Sequence, residues 1–237
     1  MNIISNYIKK KSKTKGIVAF ACSFIIHFYK QNLSTAFNQA YNLQGFDIIY
    51  GTDTTAVLSS SLKWKENIIS KDAEYADHSI SDKVERITTA LNYYKKNFND
   101  LSDTSLIDFG CGKGRVLIIA DSFGIKSLFG IELSPFIMEQ CRKNLNKLGI
   151  SCQFLNKSYN DVNYESLNFC TNIIIYAYNP SDIKILSESL IKLISAQKGK
   201  NFFFFYSNPQ KSIDHIMGKK FHLLRKFRKL DLYQIID

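Results

Sequence analysis

The chain has 237 residues, 45% of them apolar and 14% aromatic, and a formal net charge of +10 at pH 7. This length and apolar share suit one α/β domain with an appendage and argue against a second core. The five cysteines form no Cys-x-x-Cys and the four histidines no i,i+4 pair, so the cysteines read as reduced apolar residues and no metal site is expected.

Charge is concentrated at the ends. Residues 1–40 carry Lys9, Lys10, Lys11, Lys13, Lys15 and Lys30 with no acid, and residues 211–230 carry seven bases against Asp214. Between them, residues 41–210 balance 18 bases with 18 acids. A basic end attracts nucleic acid or an anionic membrane surface, or serves only as a solvated flank; both readings stay open. The apolar run from Gly16 to Tyr29 lacks a small-residue cleavage site and is too short to span a bilayer. It is expected to be a helix packed on the domain, with an interfacial membrane helix as the alternative. Residues 1–44 are therefore read as a basic, helical N-terminal appendage, and residues 45–237 as the main domain.

Gly45-Phe-Asp-Ile-Ile-Tyr-Gly-Thr-Asp-Thr54 is rich in polar turn formers and is expected to lie outside the core. After Tyr75-Ala-Asp-His-Ser79, a helical stripe runs through Val84, Ile87, Leu91, Tyr94 and Phe98. Leu106, Ile107 and Phe109 then form a buried-strand pattern, followed by Gly110, Gly112 and Gly114 and by a helix with Val116, Ile119, Ala120 and Phe123 on one face. Ser127–Glu132 is the next strand. Ser134 and Pro135 mark a helix start, with Ile137, Met138, Cys141, Leu145 and Leu148 as its stripe and Gly149 as its stop. Strands are expected at Cys152–Leu155, Asn172–Tyr178 and Asn201–Tyr206, with a helix through Ile183, Leu186, Leu190, Leu193 and Ile194 before Gly199. Phe221–Ile236 is expected to supply a final antiparallel pair. Such alternation implies right-handed β-α-β units in one sheet.

A strand, a glycine loop and a helix in one pass make a cradle for a nucleotide cofactor. Arg115 stands where the third glycine of a dinucleotide-binding Gly-x-Gly-x-x-Gly would stand. Instead, Asp108-x-Gly110-x-Gly112-x-Gly114 resembles motif I of the class I S-adenosylmethionine-dependent methyltransferases. Glu132 ends the next strand, where a ribose-binding carboxylate belongs. Around residues 45–210 the chain is similar to a bacterial group of these enzymes of largely undefined substrate, in which Phe-Asp, Tyr/His-Gly and Asp-Thr recur before motif I.

The resemblance implies a doubly wound, mostly parallel seven-stranded α/β sheet over residues 45–237. It implies S-adenosylmethionine held by Asp108, Gly110, Cys111, Gly112, Gly114 and Glu132, and methyl transfer to an unidentified acceptor by in-line displacement. Lys113 and Arg115 are expected to meet solvent or a neighbouring carboxylate. Asp53, Thr54, Tyr75 and His78 are candidates for a lid over the cofactor; Asp53 as a turn cap and His78 as a surface residue are the alternatives. Asn179-Pro180 resembles the Asn/Asp-Pro motif of amino-methylating enzymes, although Ser181-Asp182 replaces its usual continuation, so Asn179 is read either as an acceptor ligand or as the residue that stops its strand. Asn156-Lys157-Ser158-Tyr159 lacks the acid that meets the adenine amine in many relatives. A non-catalytic S-adenosylmethionine-binding module and a peripheral membrane protein are the competing functions. The expected location is the cytoplasm, with attachment at the membrane periphery through the basic ends as the alternative, and weak anionic binding to membrane or RNA as the accompanying partner class.

Overall fold

The computed structural model describes residues 45–54, 84–98, 101–178, 182–209 and 218–236, with single positions at 21 and 213. Tyr75, His78, Asn179, Pro180 and the appendage, Ala21 apart, lie outside the described residues.

Each strand predicted from an apolar run forms and joins one sheet. β1 (Thr104–Phe109), β2 (Ser127–Ile131), β3 (Gln153–Leu155), β4 (Asn172–Tyr178), β5 (Asn201–Ser207), β6 (Phe221–Phe227) and β7 (Leu230–Ile235) form one sheet in the order β3-β2-β1-β4-β5-β7-β6. β1 to β5 pair in parallel, and β7 runs antiparallel to both β5 and β6. The final pair is antiparallel as expected, but β7 alone runs against the sheet, because it inserts between β5 and β6. The strand order reverses between β1 and β4, which opens a crevice at the carboxyl edge where α/β sheets bind ligands.

Alternate side chains along each strand enter opposite layers. Leu106, Ile174, Tyr176, Phe203, Phe205 and Leu232 face one layer, where they meet Ile87, Leu91 and Tyr94 of α2 (Val84–Asn97), Leu117 of α3 (Arg115–Ser122), and Met138, Cys141 and Leu145 of α4 (Pro135–Leu148). Tyr94 meets Phe203 edge to face at 4.7 Å and 82°, a favoured aromatic geometry. Ile107, Phe109, Ile173, Ile175, Phe202, Phe204 and Tyr233 face the other layer, covered by α5 (Ile183–Ala196) and the segment around Tyr159–Phe169. With both faces covered, β4 and β5 read as near-continuous apolar runs rather than alternating ones.

The helix ends follow their sequence signals. Ser134 accepts from the Ile137 N–H at 3.3 Å with Pro135 in the first helical turn, and Gly149 closes α4 at φ 69°, a left-handed conformation that glycine adopts without the Cβ clash. Among the described residues β6 is one edge of the sheet and the short β3 the other. Exposed His222, Arg225 and Lys226, with a bulge between Leu223 and Arg225, blunt the β6 edge against pairing with another chain.

One expectation fails. Residues 45–54 were expected outside the core, yet Phe46 and Ile48 are buried within α1 (Phe46–Tyr50), and Thr54 is buried too. Asp47 is the reason. Its Oδ1 accepts from the Thr54 N–H and from the hydroxyls of Thr52 and Thr54 at 2.6–2.9 Å, so the polar groups satisfy one another and the turn can present its apolar side inward.

Leu190 on α5 has no exposed surface. Leu190→Ala should cost about 2–5 kcal/mol, read as a fall in thermal midpoint of about 2–4 °C per kcal/mol. A loss below about 1 kcal/mol would contradict the described packing of α5 on the sheet.

Candidate functional site

The turn from β1 into α3 takes the chain over the end of β2. Gly110, Gly112 and Gly114 have φ of 82°, 53° and 88°, values that L side chains rarely adopt. The N–H groups of Gly110 and Cys111 both donate to the Ile131 carbonyl, at 2.9 and 2.8 Å, and the Gly114 N–H donates to the Cys111 carbonyl at 2.9 Å. A Cβ at Gly114 would sit 2.6 Å from Leu145 Cδ1 and 2.7 Å from Cys141 Sγ, whereas one at Gly112 would meet nothing within 4 Å. The loop therefore rests on α4 at Gly114 and opens at Gly112.

Glu132, at the end of β2, is nearly buried at 8% exposure. Its Oε2 accepts from the Gly112 N–H at 3.1 Å and its Oε1 from the Ser134 N–H at 3.0 Å. The Glu132 N–H donates to the Leu155 carbonyl, and Asn156 Nδ2 donates to the carbonyls of Glu132 and Leu133 at 2.8 and 3.1 Å. The carboxylate is thereby fixed from its backbone as well as from its oxygens. Asp108 is buried one strand over, in register with Gly130 and Tyr176. Ser158 caps the short turn Tyr159–Asp161, and Tyr159 stacks on Phe109 at 5.1 Å and 9°.

Cys111 is the buried side chain within this loop. Its contact with the Cys141 thiol, then burial, then the nearby charges of Asp108 and Glu132 hold its pKa well above the usual thiol value. The thiol stays protonated at neutral pH and is no nucleophile. Burial likewise raises the Cys152 thiol and the Tyr164 phenol, whose hydroxyl donates to the Tyr159 carbonyl at 2.6 Å.

The structure brings Asp53 and Thr54 onto the same loop. Lys113 Nζ lies 3.0 Å from Asp53 Oδ2, and Arg115 Nε donates to Thr54 Oγ1 at 2.9 Å. Lys113 and Arg115 are both nearly buried and meet carboxylates: Asp53 for one and, at 3.8 Å, Asp47 for the other. Among the described residues no three His, Cys, Asp or Glu side chains converge as a metal group would require.

Three residues of the site escaped the sequence reading. Gly130 is one: a Cβ there would lie 3.0 Å from both Cys111 Sγ and Leu117 Cδ1, so the glycine lets the loop cross the strand. Its signal was a glycine inside a strand pattern. Asp47 sat unremarked within a quoted segment. Asn144, 3% exposed, lies at the i+3 position from Cys141 on the apolar stripe of α4, a polar residue where the pattern calls for an apolar one.

Gly112→Ala should cost about 1–2 kcal/mol, the penalty of an L residue in the left-handed region. Gly114→Ala should cost more, because the added Cβ also collides with Leu145 and Cys141 and overpacking adds about 1–3 kcal/mol. Urea unfolding of the two variants checks the order; equal losses would contradict the contact with α4.

Residues 106–193 match the family described as a methyltransferase domain. A ribosomal protein L11 methyltransferase from Tolumonas auensis is 38% identical over 66 residues, which make up 28% of this chain and 23% of that protein. Another, from Glaesserella parasuis, is 29% identical over 113 residues, 46% of this chain and 36% of that protein. The matched segments thus span well under two thirds of these relatives. Among solved structures, a putative methylase from Haemophilus influenzae superposes with a TM-score of 0.50 at 17% identity, covering 66% of this chain and 90% of that one. A putative methyltransferase from Escherichia coli gives 0.50 at 16% identity, covering 67% and 89%. Residues 106–193 resemble a methyltransferase domain, and the sheet that carries them shares its fold with these solved structures.

Proposed function

We propose that the chain moves a methyl group from S-adenosylmethionine to an acceptor, with the cofactor held across the carboxyl ends of β1 and β2 by Asp108, Gly110, Cys111, Gly112, Gly114 and Glu132. The observation that carries this reading is the bond from the Gly112 N–H to Glu132 beside the opening at Gly112. A carboxylate accepts about four hydrogen bonds, which suits Glu132 to the paired hydroxyls of a ribose. The space above Gly112 suits a ligand lying against backbone.

When bound, S-adenosylmethionine supplies an electrophilic methyl group on a sulfonium centre that is already a good leaving group. The part left to the chain is orientation, and alignment of acceptor and methyl carbon supplies much of the rate.

Asn179 follows β4 in the sequence, and we assign it to the acceptor side. The relatives' names point to a ribosomal protein as their acceptor, which makes ribosomal fractions the first to assay. The exposed side chains of Arg225, Lys226, Arg228 and Lys229 around the β6–β7 turn support a weak, salt-sensitive attraction for anionic partners, membrane or RNA. No helix among the described residues is long and apolar enough to cross a membrane. The need for a cytosolic cofactor supports a cytoplasmic location.

Calorimetry should give one-to-one binding of S-adenosylhomocysteine. Glu132→Ala should weaken it about tenfold or more, the loss of charge-assisted bonds; unchanged affinity would remove the ribose assignment. Incubation with methyl-labelled cofactor and fractionated extract should label one fraction. Binding without label in every fraction would favour the non-catalytic module. Asn179→Ala should keep cofactor affinity and lose turnover; turnover per folded molecule equal to wild type would make Asn179 a strand-stopping residue.

A further inference from the structure

Asn144 joins three segments that are remote in sequence. Its Oδ1 accepts from the Asp53 N–H at 3.0 Å and from Gln140 Nε2 at 3.2 Å. Its Nδ2 donates to the carbonyls of Asp53 at 2.9 Å and Lys113 at 3.0 Å. Lys113 stands between Gly112 and Gly114, so this bond fixes a peptide plane in the middle of the left-handed turn.

Residues 53 and 113 are also joined directly, through the 3.0 Å ion pair. On the other side of the loop, Arg115 bonds to Thr54, which bonds to Asp47, and the guanidinium lies 5.0 Å from the centre of the Phe46 ring. Lys147 of α4 donates to the Gly51 carbonyl. The segment 45–54 is therefore a strap tied to the residues that flank Gly114, with Asn144 as the knot. A buried carboxamide that satisfies three backbone groups in two segments is far more demanding than a fold requires at an exposed helix face, since each group it leaves would be buried and unpaired.

We propose that Asn144 is a positioning residue for cofactor binding: acting through the Lys113 carbonyl and the 45–54 strap, it holds the Gly110–Gly114 turn in the shape that receives the nucleoside. This rests on the cofactor reading given above. It assigns Asp53 to bracing the loop, and places the control of affinity partly in a side chain that acts from α4. Rigid support of this kind lowers the ordering cost a ligand must meet on binding.

The test uses the full chain and S-adenosylhomocysteine, with calorimetry for affinity and circular dichroism for folding. Asn144→Ala should bind about tenfold more weakly at a temperature where it remains folded, the loss expected when buried acceptors are left unpaired. The control is Asn172→Ala at the amino edge of the sheet, where Asn172 Nδ2 donates to the Asp103 carbonyl and its Oδ1 accepts from Asn201 at 3.0 Å. That variant should melt lower yet keep wild-type affinity, which a loss through stability alone could not do. Wild-type affinity in folded Asn144→Ala overturns the proposal. If Asn144→Ala does not fold, Asn144→Asp decides, because it keeps an acceptor for the Asp53 N–H and removes the donor to the Lys113 carbonyl. Affinity reduced roughly fivefold or more supports the brace, and unchanged affinity overturns it. If the wild-type chain itself fails to bind, the cofactor reading falls instead, and the positioning role with it.

Discussion

Between β1 and α3 the chain must turn back over the end of β2 within five residues, and it must do so while its backbone N–H groups find partners. Three left-handed glycines meet the first demand. The second is met by where the loop's amides go: those of Gly110 and Cys111 into the Ile131 carbonyl, that of Gly112 into Glu132, and that of Gly114 into the Cys111 carbonyl. The remaining features of the edge follow from this geometry. Gly130 lacks a side chain because the loop crosses it, and Cys111 is pressed against Cys141 because the loop rests on α4.

A loop so short on side chains has little packing of its own. The support comes from outside it, from the two aromatic-rich layers that fix β1 and β2 and from the polar ties of residues 45–54. The two kinds of support differ in consequence. Apolar burial sets stability in rough proportion to area, whereas the ties through Asn144, Asp47 and Arg115 set a shape. Shape is what a nucleoside reads, so substitutions in the ties should separate affinity from stability while substitutions in the layers should not.

The strands and helices were legible because each carries a periodic apolar pattern with an identifiable end, as Ser134-Pro135 and Gly149 do for α4. The glycine loop was legible for the same reason, since a strand and a helix flank it in register. The burial of Phe46 was not, because one helical turn is too short to show a period and its polar neighbours outnumber its apolar ones. Only the mutual pairing of Asp47, Thr52 and Thr54 reveals that the turn can be buried. Asn144 hid for the opposite reason: one polar residue on a clear apolar stripe does not disturb the pattern, and its partners lie 31 and 91 residues away.

The most direct test of the claim that this turn is a nucleoside-binding site is a titration of the isotopically labelled chain with S-adenosylhomocysteine, followed by amide NMR. The account expects saturable shifts concentrated at Gly110–Gly114 and Gly130–Glu132, with the amides of α5 unmoved. Shifts centred on α5 or the Tyr159–Phe169 segment, with the glycine loop unchanged, would contradict it.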